Sequence, residues 1–202
     1  MVKLYTPASH RFFDVLVTFV AGFSLQNLGG GLQRSGRIAA FVPSDHIVIQ
    51  GKANVTDLQM VLRPHSILDP ILTNGWPLQL EIDEQPLDKA IPPRFAKLAG
   101  MNRLNAIQIS HTFVSYFESN VSLVRDKHGS DPYRWPEPWN FARVVRNALA
   151  HGGTINIENP SAPPITWKSI TYSPANNGTE ILFQDMTFVE IVILMGEMDR
   201  VA

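Results

Sequence analysis

The sequence predicts an α+β protein, mainly α in its C-terminal part, and three observations carry that prediction. Residues 102–127 place Leu104, Ile107, Val114, Phe117, Val121 and Val124 at threes and fours, the spacing of one face of a long helix. Residues 137–151 repeat the pattern on a shorter helix, and a last apolar stripe follows at about 186–200. Between them, over about 154–183, the period falls to two, which reads as a small antiparallel β insertion. The chain therefore divides into a mixed N-terminal segment, 1–90, of uncertain role, and a helical domain, 91–202, that carries the insertion.

Composition bounds the rest. A chain of 202 residues, 45% hydrophobic and 17% charged, has the balance of a globular protein with a substantial core. A formal net charge of −1 leaves no global basic field, so any contact with nucleic acid must come from a local patch. The absence of cysteine removes disulfides, thiol catalysis and cysteine metal sites, and fits a reducing, cytoplasmic compartment. The apolar run Phe12 to Leu28 contains Asp14, Thr18 and Ser24, so it reads as a buried helix rather than a membrane anchor or export signal.

In the N-terminal segment, Ser9 is a plausible N-cap for a helix with Phe12, Val15, Leu16, Phe19, Val20 and Phe23 on its pattern, ended by Gly29-Gly30-Gly31. Its β-branched content leaves two strands as an alternative. The glycines lack the Gly-Lys-Ser/Thr of a phosphate loop, and a plain flexible loop is expected. Arg37–Val42 and His46–Gln50 flank the turn Pro43-Ser44-Asp45 as two strands. Asn54 to Leu62 suggests a short helix closed by Arg63-Pro64; Leu68-Asp69-Pro70 and Asn74-Gly75-Trp76-Pro77 read as turns, and Leu78–Ile82 as a half-buried strand. Glu81, Asp83, Glu84 and Asp88 have no His or second oxygen cluster at ligand spacing, so they read as a solvated turn and no metal site is expected.

Past the break at Pro92-Pro93, His111 falls on the long helix's apolar stripe, which favours a hydrogen-bonded core histidine over a functional one. Tyr116 and Glu118 flank that stripe and could project toward the next helix. After the turn Gly129–Pro132, Pro136 and Pro138 suit the first turn of the 137–151 helix, and Gly152 suits the left-handed position that stops one. On that helix Phe141, Val144, Val145, Ala148 and Leu149 share an apolar arc, opposite Arg143, Arg146, Asn147 and Ala150, with His151 at the border. Arg143, Asn147 and His151 form one i, i+4, i+8 ladder, and Arg146 reaches the same region from the neighbouring row. Thr154–Ile157, Thr166–Tyr172 and Thr179–Phe183 read as strands, with Asn176-Asn177-Gly178 as a turn and Pro160–Pro164 as a loop. Asp185 or Thr187 can cap a final helix whose core stripe is Phe188, Ile191, Val192 and Met195.

Arg146-Asn147-Ala-Leu-Ala-His151 at a helix end, followed by Gly152-Gly153, resembles the Arg-x4-His signature of the HEPN superfamily. The resemblance covers that motif and, more loosely, the helical pattern from about 103 to 202. It implies a HEPN-like helical bundle and a metal-independent endoribonuclease without cofactor, working as a homodimer that brings two motifs together. A toxin or defence component with an antitoxin protein partner is a setting in which such enzymes occur. By that resemblance Arg146, Asn147 and His151 would be catalytic, with Arg143, His111 and Glu118 as substrate contacts. The chemistry suits the side chains. Histidine exchanges a proton near neutral pH, an arginine fork stabilises a charged phosphorane, and an asparagine orients either. The chain departs from some relatives in having Gly-Gly after the histidine instead of a His-x-Tyr pattern, so a role that needs that tyrosine is not expected. The alternative is a catalytically inactive HEPN-like module that binds a partner protein or nucleotide, for which Tyr133, Trp135 and Trp139 offer aromatic surface or simply core. A well-capped helix with a solvated polar face is the plainest reading of the same residues.

Overall fold

The computed structural model describes residues 1–35, 43–73, 75–88 and 99–202. Its elements run β1 (Val2–Tyr5), α1 (Phe13–Ser35), β2 (Ile47–Gln50), β3 (Leu58–Leu62), α2 (Pro64–Leu72), β4 (Leu80–Pro86), α3 (Ala99–His128), α4 (Glu137–Ala150), β5 (Ile165–Trp167), β6 (Ile170–Tyr172) and α5 (Phe188–Val201). This is the α+β class that the sequence predicts, with helices dominant after residue 99.

The C-terminal helices form because their apolar stripes have each other to bury. α4 turns back on α3: Trp139 is fully buried, packs on Phe117 with centroids 5.4 Å apart, and donates its indole N–H to the Met198 carbonyl of α5 at 2.9 Å. Phe141, Val145 and Ala148 are buried, as the arc predicts. Thr187 caps α5: its Oγ1 accepts from the Val189 N–H, and Glu190 reaches back to the Thr187 N–H at 2.8 Å. That box satisfies two donors at the helix start.

The first turns of α1 bury a broad face, with Phe13, Leu16, Val17 and Val20 all but inaccessible, as is Phe12 just before it, while Asp14, Thr18 and Leu25 are exposed. Phe19 stacks on Phe188 at 4.1 Å and Phe12 meets Tyr116 edge-on at 5.7 Å, so this helix lies among the C-terminal ones. The buried residues from Tyr5 to Met198 make one continuous core. A buried helix is thus the correct reading of this apolar run, and among the described residues no helix is long and apolar enough to cross a membrane.

The N-terminal strands form an antiparallel sheet in the order β1-β4-β3-β2, with Tyr5 opposite Leu80, Leu62 opposite Ile82 and Ile47 opposite Leu62. Several expectations are corrected here. Residues 54–62 are not a helix. Asn54 and Asp57 take positive φ in a tight turn, and Leu58, Met60 and Leu62 then alternate toward the core as β3. Pro64 opens α2 instead of closing a helix, and Pro70 sits inside α2, not in a turn. It lacks a single N–H, and Ser66, whose carbonyl that N–H would have met, is exposed to water. Gly29 to Gly31 do not end α1, whose backbone continues to Ser35; glycine costs about 1 kcal/mol in a helix without forbidding it. Ser9 lies in a turn with Thr6, before the helix, and is not its cap. Glu81, Asp83 and Glu84 lie on β4, not in a turn, and Glu84 is buried against Lys3 at 2.7 Å. The expected strand 37–42 and the Pro92-Pro93 break fall outside the described residues.

In the insertion, Thr166–Tyr172 is not one strand but a hairpin of β5 and β6, turned at Lys168 with φ 51°. Phe141 of α4 stacks on Tyr172 at 5.2 Å, which ties the hairpin to the motif helix. The flanking runs Thr154–Ile157 and Thr179–Phe183 are not strands: they meet through a single bridge between Thr154 and Glu180, and Phe183 lies in a turn with φ 66°.

Candidate active site

α4 ends where its backbone donors run out of helical acceptors. The N–H groups of His151 and Gly153 both bond the Ala148 carbonyl, at 3.1 and 2.7 Å, and Gly152 and Gly153 take φ of 95° and 88°. Two residues without a Cβ make that left-handed exit at little cost. Its consequence is that His151 leaves the helix exposed, with neither ring nitrogen hydrogen-bonded.

Arg146 sits one turn before it and is only partly exposed. Its Nε and Nη2 both engage Oε1 of Glu118 on α3, while Nη1 donates to Oδ1 of Asn147 at 3.1 Å. Three of the guanidinium's five N–H groups are thereby used, and two remain for an acceptor arriving from solvent. Ser110, His111, Val114, Ser115, Leu149 and Ala150 line a shallow groove of about 460 Å³ between α3 and the end of α4. The groove runs up to the residue that precedes His151.

Comparison with protein-family models, with curated proteins and with solved structures finds no match for the chain.

Of the six candidate residues three are joined: Arg146 contacts both Glu118 and Asn147. His111 lines the groove, and His151 follows Ala150, which lines it too. Arg143 lies about one turn before Arg146 and Asn147 on α4 but joins neither: its Nη2 donates to Asn140 at 3.4 Å. His111 corrects the expectation of a core histidine: it is exposed and unbonded, because the buried face of α3 runs through Ile109, Thr112, Phe113, Tyr116 and Val121 instead. Among the described residues no three His, Cys, Asp or Glu side chains gather as a possible metal site. Two features escaped the sequence reading. Tyr133 lies 5.4 Å beneath the Arg143 guanidinium, and Ser110 and Ser115 line the groove. The first crosses a turn, and a pair across a turn leaves no periodic signal.

Proposed function

We propose that the protein is a metal-independent endoribonuclease of HEPN type. The observation that supports this best is the arrangement at the end of α4. A histidine there is exposed next to Ala150, which lines a groove, and lies little more than one turn beyond an arginine that keeps two free N–H groups and is held by a carboxylate from the preceding helix. In this reading His151 exchanges a proton with the 2′-hydroxyl that attacks, or with the 5′-oxygen that leaves. The two remaining N–H groups of Arg146 stabilise the phosphorane charge, and Asn147 with Glu118 keeps the guanidinium in place. The second proton transfer belongs to the His151 of another copy, so the working unit is a homodimer. A toxin or defence role, with an antitoxin protein, is the biological setting proposed.

A binding module without catalysis is the second reading. One observation favours it: Glu118 already neutralises Arg146. The two are separated by incubating the purified protein with single-stranded RNA in chelator. Cleavage that leaves 2′,3′-cyclic phosphate ends supports the nuclease, and binding with intact RNA supports the module.

A further inference from the structure

Among the described arginine side chains only Arg143 and Arg146 are partly buried. Arg146 has Glu118; Arg143 has no carboxylate. Its Nη2 reaches Asn140, its Nε is buried with no acceptor, and its Cζ lies 5.4 Å from the centre of the Tyr133 ring. Glu137, the nearest acid along the chain, is exposed at the start of α4 and forms no ion pair with Arg143, and Asp131 is engaged by Arg134 at 3.5 Å and by the Tyr133 N–H at 3.1 Å. A guanidinium drawn out of water without a counter-anion has lost hydration that an arriving anion would restore. Beneath it, Tyr133 is 46% exposed. An arginine and an aromatic face together are what single-stranded nucleic acid uses, one for the backbone and one for a base. Arg143 and His151 lie eight residues apart on one ladder, roughly 12 Å along the axis, so a strand crossing His151 can follow the polar arc of α4 to reach them.

We infer that Arg143 and Tyr133 form a nucleotide subsite for single-stranded RNA, Arg143 taking a backbone phosphate and Tyr133 stacking a base to one side of the cleaved bond. This rests on the ribonuclease reading and adds to it the place where the strand is held. The subsite has no part in proton transfer, so its loss acts on binding.

The test is the affinity of the full-length protein for a 2′-O-methyl oligonucleotide, which cannot be cut, and for a set carrying one abasic position each. Tyr133→Ala weakens binding roughly 5- to 100-fold and Tyr133→Phe leaves it near wild type, since the phenyl face stacks as well. Arg143→Gln weakens binding and reduces the salt slope by about one. One abasic position costs the wild type the same factor and costs Tyr133→Ala nothing more. Thermal melts of each variant check folding, and the Phe variant keeps the test open if Ala fails to fold. Wild-type binding left unchanged by Tyr133→Ala, or an abasic set with no sensitive position, overturns the subsite alone. No RNA binding by the wild type overturns both the subsite and the reading on which it rests.

Discussion

Glu118 on α3 and Arg146 on α4 form an ion pair that holds the first residue of the Arg-Asn-x-x-x-His motif from the helix before it. Both side chains are partly exposed, and such pairs add at most about 1 kcal/mol to stability. Glu118→Ala is therefore expected to shift the melting temperature little. If the pair orients the guanidinium for a transition state, kcat falls roughly 10- to 100-fold with KM almost unchanged. Parallel melts and steady-state cleavage assays check both parts.

Glu190 is fully buried and accepts four hydrogen bonds: Oε1 from the Lys52 N–H at 2.7 Å and the Thr56 hydroxyl at 2.6 Å, Oε2 from the Thr187 N–H at 2.8 Å and its hydroxyl at 2.7 Å. It fastens the β2–β3 turn to the start of α5. Glu190→Ala strands those donors and is expected to cost about 3–5 kcal/mol in a urea unfolding titration. Thr187→Ala, which removes the cap hydroxyl, is expected to cost about 1–2 kcal/mol.

Three buried tyrosines set the alkaline limit. Burial and then the neighbouring carboxylates, Glu84, Asp199 and Asp185, push the phenols of Tyr5, Tyr116 and Tyr172 well above the ordinary value. The unfolded chain releases these protons near pH 10 while the folded chain keeps them, so their stabilising contribution is intact below pH 10 and is lost as pH rises above it. Each tyrosine adds up to about 1.4 kcal/mol per pH unit to that loss. Unfolding titrations from pH 9 to 11 should show the decline, and Tyr172→Phe should flatten it.

Gly152 ends α4 with φ 95°, and a Cβ there would meet no atom within 4 Å. Gly152→Ala thus meets only the left-handed backbone penalty, about 1–2 kcal/mol. Urea midpoints of the two proteins measure it, and a neutral substitution would mean that the helix exit is made otherwise.

The parts of this fold that were legible in the sequence are those where one period runs uninterrupted. α4 and α5 appear at their expected places because Phe141, Val145 and Ala148, and again Phe188, Ile191 and Met195, have one face to bury and glycine or threonine to punctuate it. The N-terminal half was less legible. Leu58, Met60 and Leu62 alternate over only five residues, too few to outweigh a helical reading, and their strand is fixed by pairing with β4, which is remote in sequence. At the site, the ladder Arg143, Asn147, His151 could be drawn from spacing alone. The exposure of His111 could not, because the buried face of a 30-residue helix shifts with the neighbours it meets: Leu104 and Ile107, on the predicted stripe, are 48% and 45% exposed.

The central claim is that His151 transfers a proton in RNA cleavage without a metal. Its most direct measurement is the single-turnover cleavage rate of an RNA oligonucleotide in excess chelator, with end analysis, for the wild type and for His151→Ala. The account predicts wild-type cleavage with 2′,3′-cyclic phosphate ends and a rate roughly 10²- to 10⁴-fold lower in the variant, whose melting curve is unchanged. A rate abolished by chelator in the wild type, or equal in the two proteins, would contradict it.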